Sequence, residues 1–377
     1  MTAEETTASA RPAGAATTAG PSQPVAGSAP ATPDGGDNAR GLRAWWRSDA
    51  SESTRRNLGL IGVLMILVVI GALTRPDLYS DPDWVRNNIF TILQHASAIG
   101  VVTVGMTFVI IGGGIDLSVG AIVALAGVWA TTAATQAYGA GGMIFAALTV
   151  GLCVGLINGL LIAYGRLVPF IATLAMLVAA RGLAAQISGK ETQVSFSPVI
   201  NGLATSRILG VPVLVIILAA VVAAGWVLLN RTTFGRRTVA IGGNPEAARL
   251  AGINVRFHTL LLYALSGLCC GIAAIMLTAQ ANSAQAAAAN LYELDAIAAA
   301  IIGGTVLSGG RGTIMGALFG VLVFSTITNL FAINNLPTEV QNMVKGGIIV
   351  AAVLVQEFRL TSLSQFLSRN KATGAAT

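Results

Sequence analysis

Residues 105–127 read GMTFVIIGGGIDLSVGAIVALAG, two strongly apolar runs separated by three consecutive glycines, an acid, a hydroxyl and another glycine. Glycine is a poor helix former, so the stretch predicts one apolar helix ending near Ile111 and a second starting after Asp116. Working outward from this break, the same kind of run recurs along the chain. Stretches near the roughly 17 to 25 residues needed to cross a bilayer can be placed at 58–74, 88–111, 117–135, 143–164, 168–187, 211–229, 259–280, 295–310, 313–333 and 342–357. The eighth is short enough to be re-entrant. The expected fold class is therefore all-α, a polytopic membrane protein of about ten transmembrane helices.

Composition supports that reading. Of 377 residues only 10% are charged and 54% are hydrophobic, with a mean hydropathy of +0.74. A water-facing surface normally carries roughly 25% charge, so a soluble fold of this composition would aggregate. Cys153, Cys269 and Cys270 all lie in apolar runs and give neither a disulfide framework nor a zinc spacing. His95 and His258, the only histidines, are far apart and leave no triad or metal arithmetic. A membrane-embedded enzyme would need a nucleophile with a base, and no Ser or Cys has a histidine in local register.

The net charge of +6 would suggest nucleic acid in a soluble protein, but here the arginines cluster beside apolar spans and speak to topology instead. Residues 1–57 are read as a disordered tail, poor in large apolar side chains up to about residue 39. The first apolar stretch begins near Leu58 and is read as a retained anchor rather than a cleaved signal. Residues 58–357 form the membrane domain and 358–377 a second tail. With ten spans, one face collects fifteen Arg and Lys, among them Arg166, Arg231, Arg236, Arg237, Arg249, Arg256 and Arg311. The other face collects six: Arg75, Arg86, Arg181, Lys190, Arg207 and Lys345. The positive-inside rule then puts both termini and the 230–258 loop in the cytoplasm. Arg231, Arg236 and Arg237 read as anchors at anionic lipid headgroups.

Several segments carry candidate function. Gly151, Gly155 and Gly159 recur at four-residue spacing and read first as close helix packing in lipid, or as small residues that keep a conduit open. Asp116 reads as a cap that accepts orphan backbone N–H groups of the next span. Solute contact and proton or cation coupling are the alternatives, because intramembrane acids are often functional. A second break, GGTVLSGGRG at Gly303–Gly312, lies in the other half, and paired breaks point to an inverted internal repeat with a pathway between the halves. Neither break is followed by the GK[ST] of a phosphate loop, so no nucleotide site is expected on this chain. Candidate pathway residues are Gly112, Gly113, Gly114, Asp116, Ser118, Asn158, Asn282, Ser283 and Gln285.

The polar loop centred on GGNPEAARLAGINV, Gly242–Val255, predicts a helix of about two turns outside the bilayer. Asn244 can cap it, Pro245 suits the first position, Glu246 favours the positive end and Gly252 can stop it. On the opposite side QANSAQAAAANLYELD, Gln280–Asp295, offers amides and hydroxyls that could meet a polyhydroxylated solute or simply be solvated. Glu293 and Asp295 suit the start of the eighth span.

Taken together, these segments resemble the ribose, xylose and arabinose branch of ATP-binding-cassette permeases, over roughly residues 58–357. The likeness rests on the Gly105 stretch, GLINGLLIAYGRLVPFIATLAM from Gly155 with Arg181 and Gly182 following, the Glu246 loop, YELDAIAAAIIGGTVLSGGRGTIMG from Tyr292 and the final span. It implies a homodimer in the bacterial inner membrane, two cytoplasmic ATPase subunits carrying ATP and Mg, and an extracytoplasmic binding protein that delivers a sugar. It also implies that Asn244, Glu246, Ala247, Ala248, Arg249 and Gly252 belong to a coupling helix gripped by the ATPase, the alternative reading of the residues being an ordinary surface helix. No cofactor would be bound by this chain. The sequence departs from the family at Ala286–Leu291, AAAANL, where Gly, Thr and Pro are usual. The competing function is an ion-coupled secondary carrier of a small polar solute, against which sparse intramembrane charge argues.

Overall fold

The computed structural model describes residues 49–351 and Leu354. Most of each expected tail, 1–48 and 358–377, lies outside the described residues, and residues 49–57 form the start of the first helix. The long helices are α1 (Asp49–Thr74), α2 (Pro82–Ile111), α3 (Val119–Ala130), α4 (Gly139–Ala163), α5 (Pro169–Ser188) and α6 (Val213–Arg231). They are followed by α7 (Thr233–Gly243), α8 (Pro245–Leu250), α9 (Val255–Ala281), α10 (Tyr292–Ile302) and α11 (Ile314–Ile333). A further helix, α12, covers 338–351. Among the described residues strand is confined to two short antiparallel pairs, Gln193–Val194 with Ser283–Ala284 and Arg207–Ile208 with Val211–Pro212. The all-α membrane class stands.

The count of ten spans is not confirmed. Each predicted apolar run contains helix, and among the described residues seven helices are long and apolar enough to cross a membrane. The third, α3, has 12 residues and the eighth, α10, has 11. At 1.5 Å per residue they reach about 18 and 16 Å, roughly half of a 30 Å hydrocarbon core. Such helices are tolerable only inside protein, and α3 is buried along its length except at Trp129.

The 30-residue α2 is the axis of the molecule, 83% buried over its apolar window, whereas α1 is 11% buried and peripheral. Asp81 starts α2 by accepting the Asp83 N–H at 2.9 Å, with Pro82 at the first position. Its neighbours are α6, α9, α10 and α11. Asn88 and Asn329 exchange side-chain amide hydrogen bonds of 3.2 and 2.9 Å between α2 and α11. The most extensive pairing joins α4 and α9, and the glycine spacing explains it. A Cβ on Gly155 would lie 3.0 Å from Gly267 Cα, and one on Gly159 would lie 2.8 Å from Leu260 Cα. The Gly151, Gly155 and Gly159 stripe is thus a helix-packing surface, the first of its two readings.

Arg56, placed in the expected tail, lies in a helix, as do Arg181 and Lys345, which fall within predicted apolar runs. Arg56 sits in α1, where it donates to the Gly304 carbonyl and Thr313 Oγ1. Arg181 lies within the 20-residue α5, and Lys345 lies in α12 paired with Asp295 at 3.2 Å. All three are held by polar partners in the protein.

Candidate functional site

The decisive break begins where α2 runs out. Gly112 caps α2, Gly113 turns at φ +84°, and the chain re-enters the protein as far as Ser118, the residue before α3. Asp116 is fully buried and accepts from the Ser118 N–H at 3.0 Å, the Ser118 hydroxyl at 2.6 Å and the Ser266 hydroxyl of α9 at 3.1 Å. It does accept a backbone N–H, but the capping position of α3 is Ser118, two residues later. Asn158 of α4 donates to Ser118 Oγ at 2.8 Å, which leaves its own buried carbonyl oxygen without a partner. Tyr263 closes the cluster by donating to the Ile115 carbonyl at 3.2 Å. A Cβ at Gly114 would lie 2.5 Å from that phenol oxygen, so the third glycine makes room for Tyr263. Asp116, Ser118 and Asn158 are therefore one polar knot linking α3, α4 and α9.

The 230–258 loop folds into two short helices. Asn244 caps α8 by accepting the Ala247 N–H at 3.0 Å, Pro245 opens it, and Gly252 follows its end at φ +83°. Glu246 and Arg249 pair at 2.9 Å on its exposed side, while Ala248 faces inward with 4% exposure. Thr238 Oγ1 lies 2.8 Å from His258 Nε2 and fixes α7 against α9.

Sequence could not show that the two glycine breaks meet, and that they meet at this helix. Gly310 donates its backbone N–H to the Ile111 carbonyl at 2.8 Å. A Cβ on Gly309 would lie 2.9 Å from Gly113 Cα and from the Gly242 carbonyl. One on Gly242 would lie 2.5 Å from Gly310 N. Backbones of the α2 break, the α10 break and the segment entering α8 therefore touch without side chains between them. Under this junction lies a cavity of about 360 Å3 bordered by Gly112, Gly113, Gly114, Pro245 and Tyr263.

At the opposite face, Asn282 ends α9 with φ +51°, Ser283 lies in the strand pair with Val194, and exposed Gln285 meets the Thr192 hydroxyl. The chain then turns inward. Arg181 donates to the Ala286 and Ala288 carbonyls at 2.7 and 2.6 Å, holding the AAAANL segment against α5. A Cβ on Gly120 would lie 2.7 Å from Glu293 Oε2, so α10 starts beside the start of α3. The candidate pathway residues thus fall in three places: Gly112–Gly114 at the junction, Asp116, Ser118 and Asn158 in the knot, and Asn282, Ser283 and Gln285 at the far surface.

Comparison with known proteins assigns the family. The profile described as branched-chain amino acid transport system / permease component matches residues 88–353. The ribose import permease protein RbsC of Escherichia coli K12 is 38% identical over 300 residues, covering 78% of this chain and 92% of the relative. RbsC of Bacillus subtilis 168 is 40% identical over 320 residues, covering 81% and 94%. The D-allose transport system permease protein AlsC of Escherichia coli K12 is 38% identical over 314 residues, covering 81% and 95%. The chain belongs to this permease family. No solved structure matches it. The matched region of the permease runs from α2 into the last helix, and so contains the knot, both breaks and α8. The resemblance read from the sequence is confirmed at the level of the family. Among the described residues of this permease no group of three or more His, Cys, Asp or Glu could hold a metal ion.

Proposed function

We propose that this permease is the membrane subunit of an ATP-binding-cassette importer that moves a monosaccharide into the cytoplasm. In this reading two copies form the pathway, cytoplasmic ATPase subunits hydrolyse MgATP, and an extracytoplasmic binding protein delivers the sugar. Both termini and α8 face the cytoplasm, in keeping with the arginines Arg166, Arg249, Arg256 and Arg311 on that side. Relatives named for ribose, allose, galactofuranose and L-arabinose support a pentose, hexose or furanose as cargo.

The observation that carries the reading is the junction between α8 and the two breaks. A capped, exposed two-turn helix is a natural handle for an ATPase groove, and its entry segment touches both interruptions of the membrane core through backbone alone. Force applied at α8 would pass to the α2 break and the Asp116 knot, and to the α10 break and the Arg56 contact. The ATPase thus supplies the energy and this chain supplies the moving walls.

The test is purification of the tagged permease co-expressed with a candidate ATP-binding-cassette ATPase. Co-purification in stable stoichiometry, lost when α8 is replaced by a Gly-Ser linker in an inserted protein, supports the assignment. Sugar uptake by the permease alone in liposomes under an ion gradient would replace it with a secondary carrier.

A further inference from the structure

The cavity beneath the junction is walled mainly by apolar groups, including Val109, Ile162, Pro169, Val255 and Leu262. We propose that it takes one acyl chain of an anionic phospholipid, whose phosphate is held by Arg166 and Arg256. The inference stands apart from the importer reading and uses only the permease's place in a membrane.

Three observations converge. First, the antiparallel register of α4 and α9 sets Gly159 against Leu260 and Gly155 against Gly267. Continued by one turn, it brings Arg256 across from Ala163, three residues before Arg166. Arg166 lies in the turn between the lining residues Ile162 and Pro169, and Arg256 follows the lining residue Val255. Second, both arginines are exposed, and neither forms an ion pair or hydrogen bond among the described residues. The nearby acid, Glu246, is already engaged by Arg249. Third, Tyr164 and Phe257, each about half exposed, flank them as aromatic anchors do at a headgroup boundary. Two exposed arginines beside lining residues of an apolar recess complement a phosphate diester on a hydrocarbon chain, and basic recesses between membrane helices are suited to anionic lipid. Because Gly112–Gly114, Gly242 and Pro245 share the cavity wall, a bound chain would brace the segment that enters α8.

The experiment is native mass spectrometry of the full chain released from nanodiscs of equal palmitoyl-oleoyl phosphatidylglycerol and phosphatidylcholine. The wild-type chain is expected to retain phosphatidylglycerol in preference. The double variant Arg166→Gln, Arg256→Gln should lose about tenfold of that preference. Ile162→Trp, which fills the recess and keeps both arginines, should reduce retention of the lipid itself. If those variants do not insert, competition on the wild type decides: long-chain phosphatidylglycerol should displace the bound lipid, whereas dihexanoyl phosphatidylglycerol and inorganic phosphate should not. Equal retention of both lipids, undiminished preference in the double variant, or displacement by phosphate or millimolar D-ribose would overturn the proposal. No ATP is used, so the outcome is independent of whether the chain imports sugar.

Discussion

Gly310 donates its backbone N–H to the carbonyl of Ile111, joining a break after α10 to the end of α2 over 2.8 Å. Because the entry to α8 lies against the same atoms, this bond connects an exposed handle to the centre of the membrane domain. The following outcomes are expected of that arrangement.

Glycines at the junction should be far less replaceable than glycines elsewhere. Gly309→Val puts a β-branched residue at φ +88° against Gly113 and Gly242, a strain of about 1–3 kcal/mol. ATP-driven uptake should fall at least about tenfold with a lowered melting temperature. Gly141→Ala, which meets nothing within 4 Å, should leave both within error. Uptake and melting curves on the two variants check this, and equal tolerance would count against a close-packed junction.

Glu246→Arg is expected to leave the chain inserted and assembled but to separate ATP hydrolysis from uptake. The change removes the pair with Arg249 and puts a cation in the first turn of α8, where an acid is favourable. Asn244→Ala should act more weakly, costing about 1 kcal/mol of helix stability through the lost cap. The readout is the number of sugars moved per ATP, which should fall in the order wild type, Asn244→Ala, Glu246→Arg.

Asp116 separates two chemistries. As a knot it needs an acceptor for Ser118 and Ser266, so Asp116→Asn should keep uptake within about threefold, since an amide oxygen can still meet the Ser118 N–H. Asp116→Ala strands buried donors and should cost about 1–3 kcal/mol of stability. Well-folded Asp116→Asn protein with abolished uptake, measured beside its melting curve, would instead make the carboxylate a direct participant.

Gly155→Leu should prevent assembly of the membrane domain. Its Cβ alone would lie 3.0 Å from Gly267 Cα, so α4 and α9 could not hold their spacing. Loss of monodisperse protein in size-exclusion chromatography is expected, with Gly182→Leu, which faces open space, as the tolerated comparison.

Much of the fold was legible because apolar length is a local property, and every predicted run contains helix. The lengths of α3 and α10 were not, since the predicted runs continue to residues 135 and 310, past the helix ends at Ala130 and Ile302. In the folded chain α3 packs against α4, α5 and α9, and α10 against α2 and α11, partners that sequence periodicity does not encode. Arg181 and Lys345 lie within predicted runs, but their partners, the Ala286 and Ala288 carbonyls and Asp295, are distant in sequence and could not be read from it. The α8 helix was readable to the residue because its cap, proline and stop are all local. The Gly309 contact with Gly113 was not, although glycine pairs in three separate segments were the available signal.

The central claim is that this permease converts ATP hydrolysis on a partner into sugar movement through α8 and the junction. The most direct measurement is ATPase activity in nanodiscs holding the permease with a candidate ATP-binding-cassette ATPase and sugar-binding protein, across pentoses, hexoses and furanoses. Stimulation by one sugar, abolished by Glu246→Arg, is the expected result. An assembled complex whose hydrolysis ignores every sugar, or a chain that carries sugar alone under an ion gradient, would contradict the account.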